Sequence, residues 1–237
     1  VIIKELTAFK KAYGKERKTV IDNLKEAVVA AKKIEEQDVV FLMDRFGYAK
    51  IVDTSVYERN KEAANAEYRH IFTCKNTDKI CIFTDKGQMH LLKVLDLPYG
   101  KFRDKGTPID NLCNYDSSEE NVVYLACLEH VSSHRMLFGT KYAMIKVVDG
   151  MEFVVAKKTT AATKLGEEDE VLTVCPLEEN DTLVMASKKD VFLRIDCAQI
   201  PLKKKGAVGV RGMKLAGGDV LKSILVLHDG EEQEVEV

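Results

Sequence analysis

Basic residues recur at one kind of position along this chain, at or just after a short turn between two apolar stretches. Lys86 lies in such a turn, in ICIFTDKGQMHLLKVLDLP, and Lys141 lies in another, in RMLFGTKYAMIKVVD. Each lysine alone is better interpreted as a solvated turn residue. If folding brought the turns to one edge, however, their charges would form a surface for the phosphates of a nucleic acid, since each neutralised phosphate adds affinity through counterion release.

Residues that could perform other chemistry do not form a catalytic or metal-binding pattern. The 5 histidines are scattered, and His90 follows a turn at a position where a cation is expected. The 6 cysteines include no C-x-x-C pair, which favours buried free thiols in a reducing compartment. Acidic pairs fall in turns between repeats, and no G-x-x-x-x-G-K-[ST] phosphate loop is present. We therefore predict no catalytic residue and no metal site.

The turns belong to a repeated unit, an apolar strand followed by a turn and a strand that carries a basic residue. The unit covers 80–98 and recurs at 39–53, 135–153 and 182–200, and 223–237 resembles the start of a fifth copy. A second element follows the middle hairpins and ends on a leucine, with a spacing near fifty residues. Short strands at this period predict an all-β, propeller-like disc of about five blades. Ankyrin or tetratricopeptide repeats would need helical periodicity, which is missing here.

Charge and hydropathy limit the classes of protein that fit. Net charge is −2, but acid collects at 116–120, 167–170 and 231–236, while 200–215 is basic without acid, so a neutral total can conceal a basic edge. A hydrophobic content of 46% is ample for a core. No apolar run approaches the roughly 20 residues of a membrane span, so we expect a cytoplasmic chain with no membrane partner.

The first residues differ from the repeats. Ile2, Leu6, Phe9 and Tyr13 fall on one helical stripe that ends at Gly14. The charged stretch 15–37 allows a helix at 24–35 or a linker with one strand. We divide the chain into 1–37, which resembles the cut end of an upstream domain plus a linker, and 38–237, which contains the repeats.

Two motifs carry a family resemblance. IKELTAFKKAYGKERKT resembles the helix "EL…YG-x-x-RRT" that closes the breakage-reunion domain of bacterial type IIA DNA topoisomerase A subunits. IFTDKGQMHLLKVLDLP and KGTPIDNL resemble the repeat of the C-terminal domain that follows, "F-x-x-x-G-x-x-x-x-x-K-V-x-x-L-P…G-x-P-I-x-N-L". The resemblance implies a β-pinwheel, whose propeller-like blades exchange strands, and a role in binding and bending double-stranded DNA beside the catalytic core.

One departure from the pattern bears on the subfamily. Gyrase A subunits carry a box that resembles QRRGGKG after a strand-ending tyrosine of the first blade, but here Tyr57 is followed by ERNKEAAN, without glycine and with little net positive charge. This favours the A subunit of topoisomerase IV (ParC-like), which presents the transported DNA segment for decatenation and supercoil relaxation. The alternative is a gyrase A wrapping domain with a degenerate box, which KKKGAVG at 203–209 faintly resembles.

The resemblance also implies how the parent protein works. It would be an ATP-dependent isomerase in an A2B2 heterotetramer, would obtain ATP and magnesium through its ATPase partner subunit, and would be associated with the nucleoid. The family's nucleophilic tyrosine follows an arginine, and no tyrosine here does so, so this fragment should hold no cofactor and catalyse nothing. The rivals from other classes are a protein-interaction propeller and, more weakly, an enzyme with a site in a central channel.

The residues predicted to contact DNA are the basic side chains at or after the turns, in the elements that follow the hairpins, and after Tyr57. They are Lys50, Arg59, Lys61, Lys86, Lys93, Lys101, Arg103, Lys105, Lys141, Lys146, Lys157, Lys158, Lys188, Lys189, Arg194, Lys203, Lys204, Lys205 and Arg211.

Overall fold

The structure is a computed structural model that describes residues 2–16, 19 and 35–228. The chain divides into two compact units, 1–35 and 36–237. The first contains helix α1 (Ile2–Tyr13), which confirms the predicted N-terminal helix and ends where Gly14 N–H donates to Lys10 O at 2.9 Å. The alternatives predicted for 15–37 lie mostly outside the described residues.

The described part of the second unit is built mainly of short strands, with short helices between some of them. The helices are α2 (Thr54–Arg59), α3 (Lys61–Glu67) and α4 (Leu128–Ser133). The strands are β1 (Asp38–Asp44), β2 (Tyr48–Asp53), β3 (Tyr68–Lys75), β4 (Lys79–Thr84), β5 (Gln88–Lys93), β6 (Thr107–Pro108), β7 (Val122–Cys127), β8 (Arg135–Thr140), β9 (Met144–Asp149), β10 (Thr159–Ala161), β11 (Val171–Leu177), β12 (Thr182–Ser187), β13 (Phe192–Asp196), β14 (Val210–Arg211) and β15 (Leu221–Leu227).

The described strands form four antiparallel sheets. In order, sheet A is β3-β1-β2-β6, sheet B is β7-β4-β5-β10, sheet C is β11-β8-β9-β14 and sheet D is β15-β12-β13. The first strands of these orders, β3, β7, β11 and β15, contact one another in succession and form the inner edges. The opposite edges, which end in β6, β10, β14 and β13, are the outer edges.

Each complete sheet takes its outer strand from further along the chain. β6 follows the hairpin of sheet B but pairs with β2 of sheet A, as Tyr48 opposes Pro108. In the same way β10 follows the hairpin of sheet C and pairs with β5, and β14 follows the hairpin of sheet D and pairs with β9. The second element predicted after the middle hairpins is therefore the outer edge of the preceding sheet.

Apolar residues pack between successive sheets, so the central strands are buried on both faces. Between sheets B and C, the ring of Phe83 lies 5.8 Å from that of Phe138 and 5.1 Å from that of Phe153. Comparable clusters join sheet A to B and sheet C to D. This explains why the central strands read as continuous apolar runs, because a strand covered on both faces has no solvent-facing residues.

The hairpin turns of sheets A, B and C place a left-handed residue three positions before Lys50, His90 and Lys146. Gly47 has φ +82° and Gly87 has φ +72°, and Ala143 occupies the same position in sheet C with φ 59°. Glycine adopts this conformation without a Cβ penalty, which suits Gly47 and Gly87 to these turns.

The structure confirms an all-β, propeller-like fold preceded by a helix, and it corrects two details. The described residues form four sheets instead of about five blades. The stretch 223–237 was expected to start a fifth copy, but its first residues belong to β15 (Leu221–Leu227), the inner strand of sheet D, and 229–237 lie outside the described residues. Tyr57, expected at a strand end, lies in α2. The alternating apolar pattern of a strand ends before residue 58, and the mostly polar residues that follow form the end of α2 and then α3.

Candidate nucleic-acid interface

The outer edges of sheets A, B and C consist of three chain segments, 98–108, 157–161 and 201–211, which we call the exchange segments. Ile51 N–H donates to Pro98 O at 3.0 Å, Leu91 N–H to Lys158 O at 2.8 Å and Val147 N–H to Pro201 O at 3.2 Å. Most of their basic side chains are exposed, and Lys205 is half-buried. They are Lys101, Arg103, Lys105, Lys157, Lys158, Lys203, Lys204, Lys205 and Arg211.

A buried lysine holds the exchange segment of sheet A. Lys50, in the middle of β2, is 1% exposed, and its Nζ donates to the main-chain oxygens of Phe102 and of Asp104, the latter at 2.6 Å. The ammonium also lies over the rings of Tyr68 and Phe102, 5.1 and 5.4 Å from their centroids. Burial lowers the pKa of Lys50, an effect that Glu67 and Asp104 oppose.

Lys146 holds the exchange segment of sheet C in the same way. It is 1% exposed, and its Nζ donates to Lys205 O at 2.6 Å and to Ala207 O at 2.9 Å, with two longer contacts to Lys204 O and Ala162 O. Burial lowers the pKa of Lys146 to about 8, and Glu152 opposes the shift. We call this arrangement, a buried strand cation bound by carbonyl oxygens of an exchange segment, a carbonyl clasp.

Sheet B has a different anchor at the equivalent position. His90 is 3% exposed, its Nδ1 lies 3.1 Å from Thr159 Oγ1 of the exchange segment, and its Nε2 lies 2.8 Å from the buried carboxylate of Glu120. The prediction that His90 replaces a rim cation is therefore wrong. The ring lies inside the fold and joins β5 to β10.

The same observation corrects two of the predicted DNA contacts. Lys50 and Lys146 are enclosed by the chain, so neither ammonium can reach a phosphate while the fold is intact. The error has a physical cause. Lysines that recur in the hairpins suggest an exposed rim. The apolar residues on both sides of Lys146, in MIKVV, instead indicate a strand that is covered on both faces.

The hairpin-turn cations form a second group, which is partly neutralised. Lys86 Nζ lies 3.1 Å from Glu170 Oε1, and Lys141 Nζ lies 3.8 Å from Glu170 Oε2. Glu170 directly precedes the inner strand β11, so these lysines point toward the inner side of their sheets. In sheet D, Lys189 donates to Gly217 O at 3.0 Å, and Lys188 is exposed. The basic residues that were predicted to form one surface are thus divided between the outer edges of the sheets and the hairpin turns.

The remaining predicted residues lie apart from both groups. Arg59 and Lys61 are exposed on α2 and α3, where Arg59 donates to Ser55 O at 3.0 Å and Lys61 is 4.0 Å from Glu58. Lys93 is exposed at the end of β5. Arg194 is exposed in β13, and its Nε donates to Thr182 Oγ1 at 3.1 Å.

Reactive chemistry is not evident in the described part of the chain. All six cysteines there are free, and burial raises the pKa of Cys74 to about 12 and that of Cys175 to about 12, so these thiols stay protonated. No group of three or more metal-ligating side chains occurs among the described residues, and no described helix is long and apolar enough to cross a membrane.

A set of blade-like sheets, each completed on its outer edge by the segment that follows the next hairpin, defines a strand-exchanged propeller, or β-pinwheel. Comparisons with known proteins agree with this class. The family model described as DNA gyrase C-terminal domain, beta-propeller, matches residues 181–228. The DNA gyrase A subunit of Lawsonia intracellularis is 28% identical over 244 residues, which cover 98% of this chain and 30% of that protein. The chain thus spans less than a third of that relative.

Solved structures share the fold. The C-terminal domain of DNA topoisomerase IV superposes with a TM-score of 0.74 at 21% identity, covering 82% of this chain and 62% of that one. The E. coli ParC C-terminal domain gives 0.67 at 14% identity, covering 81% and 80%. Together these findings confirm the resemblance to the C-terminal domain of a bacterial type IIA DNA topoisomerase A subunit.

The clasp of sheet C can be tested by replacing Lys146 with methionine, which keeps the length but removes the donor. We expect a loss of about 1–3 kcal/mol in the free energy of unfolding, because buried carbonyl oxygens lose their partner, and faster amide hydrogen exchange at Lys203 and Val147, which bond across the clasp. Lys93→Met, at an exposed lysine, is the matched control and should change neither. Equal exchange in both variants would show that Lys146 does not hold the segment.

The pH dependence of stability tests the burial of the same ammonium. Because the pKa of Lys146 falls from 10.5 to about 8 in the folded chain, the unfolded chain binds more protons between these values, and the free energy of unfolding should rise with pH there. The rise is limited to about 1.4 kcal/mol per pH unit. Urea unfolding from pH 7.5 to 10.5 should show this increment in the native chain and lose it in Lys146→Met. Parallel profiles would contradict the burial.

Proposed function

We propose that the second unit binds and bends duplex DNA along the outer edges of its sheets, as the C-terminal domain of a topoisomerase A subunit. The observation that carries the proposal is the placement of nine basic residues on three equivalent exchange segments, at the outer edges of successive sheets. The match to DNA gyrase proteins supports the same conclusion. Repetition from sheet to sheet would give regularly spaced charges, as a duplex that bends around the unit requires.

The chemistry of these segments suits the phosphate backbone and not base recognition. The side chains are mostly flexible lysines on extended chain, and no helix or two-stranded ribbon projects from the described outer edges to enter a major groove. Such a surface responds to charge and to the bendability of DNA. Bending a short site costs about 1–6 kcal/mol, so contacts from several segments are needed to offset it.

Internal pairing explains how a chain of net charge −2 can present a basic edge. Glu120 is buried against His90, and Glu170 lies between Lys86 and Lys141 at the turns. The carboxylate of Glu152 accepts a hydrogen bond from Lys205 N–H at 2.9 Å and so holds the exchange segment of sheet C. This bond lowers the pKa of Glu152. Glu170 pairs with lysines away from the outer edge, whereas Glu152 fixes its exchange segment and also lies 3.3 Å from the exposed Nζ of Lys204.

Within the family, we favour the A subunit of topoisomerase IV. Residues 58–65 occupy the place of the glycine-rich box of gyrase, and they form the end of α2 and most of α3 without a glycine. A helical, nearly neutral segment cannot supply the flexible basic loop that wrapping with the gyrase hand requires. The proposed role is to present the transported duplex for decatenation and relaxation of supercoils.

A gyrase A protein with a degenerate box is the second candidate. The observation in its favour is that the matched family model and the Lawsonia relative both bear the gyrase name. In either case the parent enzyme would be an ATP-dependent isomerase that receives ATP and magnesium through an ATPase partner subunit in an A2B2 assembly, and it would act on DNA in the nucleoid of the cytoplasm.

Removing charge from one exchange segment should weaken DNA binding evenly across sequences. For Lys203→Ala/Lys204→Ala we expect the slope of log Kd against log salt to fall by about 0.9 for each phosphate that is no longer neutralised. Fluorescence anisotropy with two unrelated labelled duplexes at several salt concentrations measures the slope. Lys222→Ala, at an exposed lysine of the inner strand β15, is the control. Unchanged affinity in the double variant would remove this segment from the interface and favour a protein-interaction role.

The subfamily is decided by the reaction of the whole enzyme. The full-length protein with its ATPase partner should decatenate linked circles and relax positive supercoils with ATP, and it should not introduce negative supercoils into relaxed plasmid, because residues 58–65 lack the box. Relaxation by the same preparation controls for activity. ATP-driven negative supercoiling would overturn the topoisomerase IV assignment in favour of gyrase.

A further inference from the structure

The exchange segments of sheets A and C contain a loop of the same length and course. Each loop begins with a residue in a parallel bridge to the hairpin strand, Tyr99 in sheet A and Leu202 in sheet C. Each chain then returns to pair antiparallel with the same hairpin strand, through β6 and β14. We call residues 99–105 and 202–208 the outer loops. The exchange segment of sheet B is shorter and runs directly into β10.

The carbonyl clasps hold both outer loops in the same way. Lys50 binds the main-chain oxygens of the fourth and sixth residues of one loop, and Lys146 binds those of the fourth and sixth residues of the other. Gly106 and Gly209 follow the loops, and a Cβ on either would lie 2.6 Å from a main-chain oxygen of the hairpin strand. Only glycine lets the chain return so closely. The first residues of the two loops therefore occupy equivalent places on a fixed backbone.

Both of these first residues are apolar and exposed. Tyr99 is 52% exposed, and its hydroxyl donates to the carboxylate of Asp53, which fixes the ring. Leu202 is 60% exposed and borders a shallow groove together with Met151, which is also exposed. A single exposed apolar residue is common on a protein surface. An apolar residue at the same position of two equivalent loops, on the outer edge of both sheets, is a repeated feature of the fold.

Basic side chains lie beside each apolar residue. Lys101 and Arg103 belong to the outer loop of sheet A, Lys203 and Lys204 belong to that of sheet C, and all four are exposed. Lysine is depleted from the centres of protein–protein interfaces, so these surroundings disfavour an apolar protein partner. Proteins that bend DNA from the minor groove combine the same two features, because cations bind the phosphates while an apolar side chain enters between two base pairs and kinks the duplex.

Acidic residues near the outer loops are bound within the chain. Asp53 accepts from the hydroxyl of Tyr99, and Glu152 accepts from Lys205 N–H at 2.9 Å and lies 3.3 Å from Lys204 Nζ. These carboxylates hold the loops in place, and one of them pairs with an exposed lysine. The surface around each apolar residue therefore stays suited to an anionic partner.

We propose that Tyr99 and Leu202 contact duplex DNA directly, by entering the minor groove between base pairs while the cations of the outer loops bind the adjacent phosphates. This inference rests on the proposed DNA-binding function and adds a determinant of specificity to it. Pyrimidine–purine steps such as TA unstack easily, whereas A-tracts are stiff, so the outer loops favour duplexes that carry TA steps. The bend is concentrated at sheets A and C, and sheet B, which has no outer loop, contacts the backbone alone.

The test compares the whole chain with its Tyr99→Ser/Leu202→Ser variant on two duplexes of equal length, one with TA steps and one with an A-tract. Energy transfer between end labels measures the bend, and 2-aminopurine at a TA step reports unstacking. The native chain should raise the 2-aminopurine fluorescence and prefer the TA duplex. The variant should bind this duplex about tenfold more weakly, bend it less and leave the fluorescence unchanged. The slope of log Kd against log salt should stay the same, because no phosphate contact is lost.

Two further variants separate apolar contact from structure. Tyr99→Phe/Leu202→Met keeps the apolar side chains and should behave as the native chain, and Phe46→Ser, at an exposed residue of a hairpin turn, should have no effect.

Equal bending and affinity in the native chain and the serine variant would overturn the proposal, as would native binding that leaves the TA step stacked. A shallower salt slope or faster hydrogen exchange of the Lys203 amide, which bonds to Val147 O, would also overturn it, because the substitutions would then act through the loop backbone. If the native chain shows no salt-dependent binding to either duplex, the proposed function fails and this inference fails with it.

Discussion

The structure depends on the bond between a buried strand cation and the main-chain oxygens of a segment that arrives from the next repeat. An ammonium with almost no exposure is unfavourable in a protein interior unless it is fully hydrogen-bonded. Lys146 meets this condition only when residues 204–207 are in place. The clasp thus joins sheets A and C to the chain segments that follow the hairpins of sheets B and D, and it fixes the backbone that carries exposed lysines of those segments.

This coupling separates two roles that lysine plays in one short stretch of chain. Lys50 and Lys146 hold the fold from inside their strands, and most lysines of the exchange segments face solvent. Acidic residues are distributed accordingly, since Glu120, Glu152 and Glu170 each contact a described strand, turn or exchange segment. A basic surface on a chain of nearly zero net charge therefore follows from where the carboxylates are used, and not from their number.

Much of the fold could be predicted from the sequence. The hairpins follow from apolar runs around Gly47 and Gly87, and a second element was predicted after each of the middle hairpins. The pairing of those elements with the preceding sheet has no local signal, because β6 and β14 have only two residues each, and it was expected only through the family resemblance. Lys50 and Lys146 were wrongly predicted to contact DNA. A cation that recurs at the same position of each repeat gives the same sequence pattern whether it is exposed or covered by an exchange segment. The helices α2 and α3, which contain Tyr57 and most of ERNKEAAN, were also missed, since the placement of Tyr57 at a strand end rested on the family pattern.

The central claim is that the exchange segments, and not the strand cations, form the surface that meets DNA. Lysine acetylation of the folded chain with and without duplex DNA, read out by mass spectrometry, tests it most directly. We expect protection by DNA at Lys101, Lys157 and Lys203, and no DNA-dependent change at the buried Lys50 and Lys146 or at Lys222 on the inner edge. Protection confined to Lys222 and the turn lysines, with the exchange segments modified equally in both samples, would contradict it.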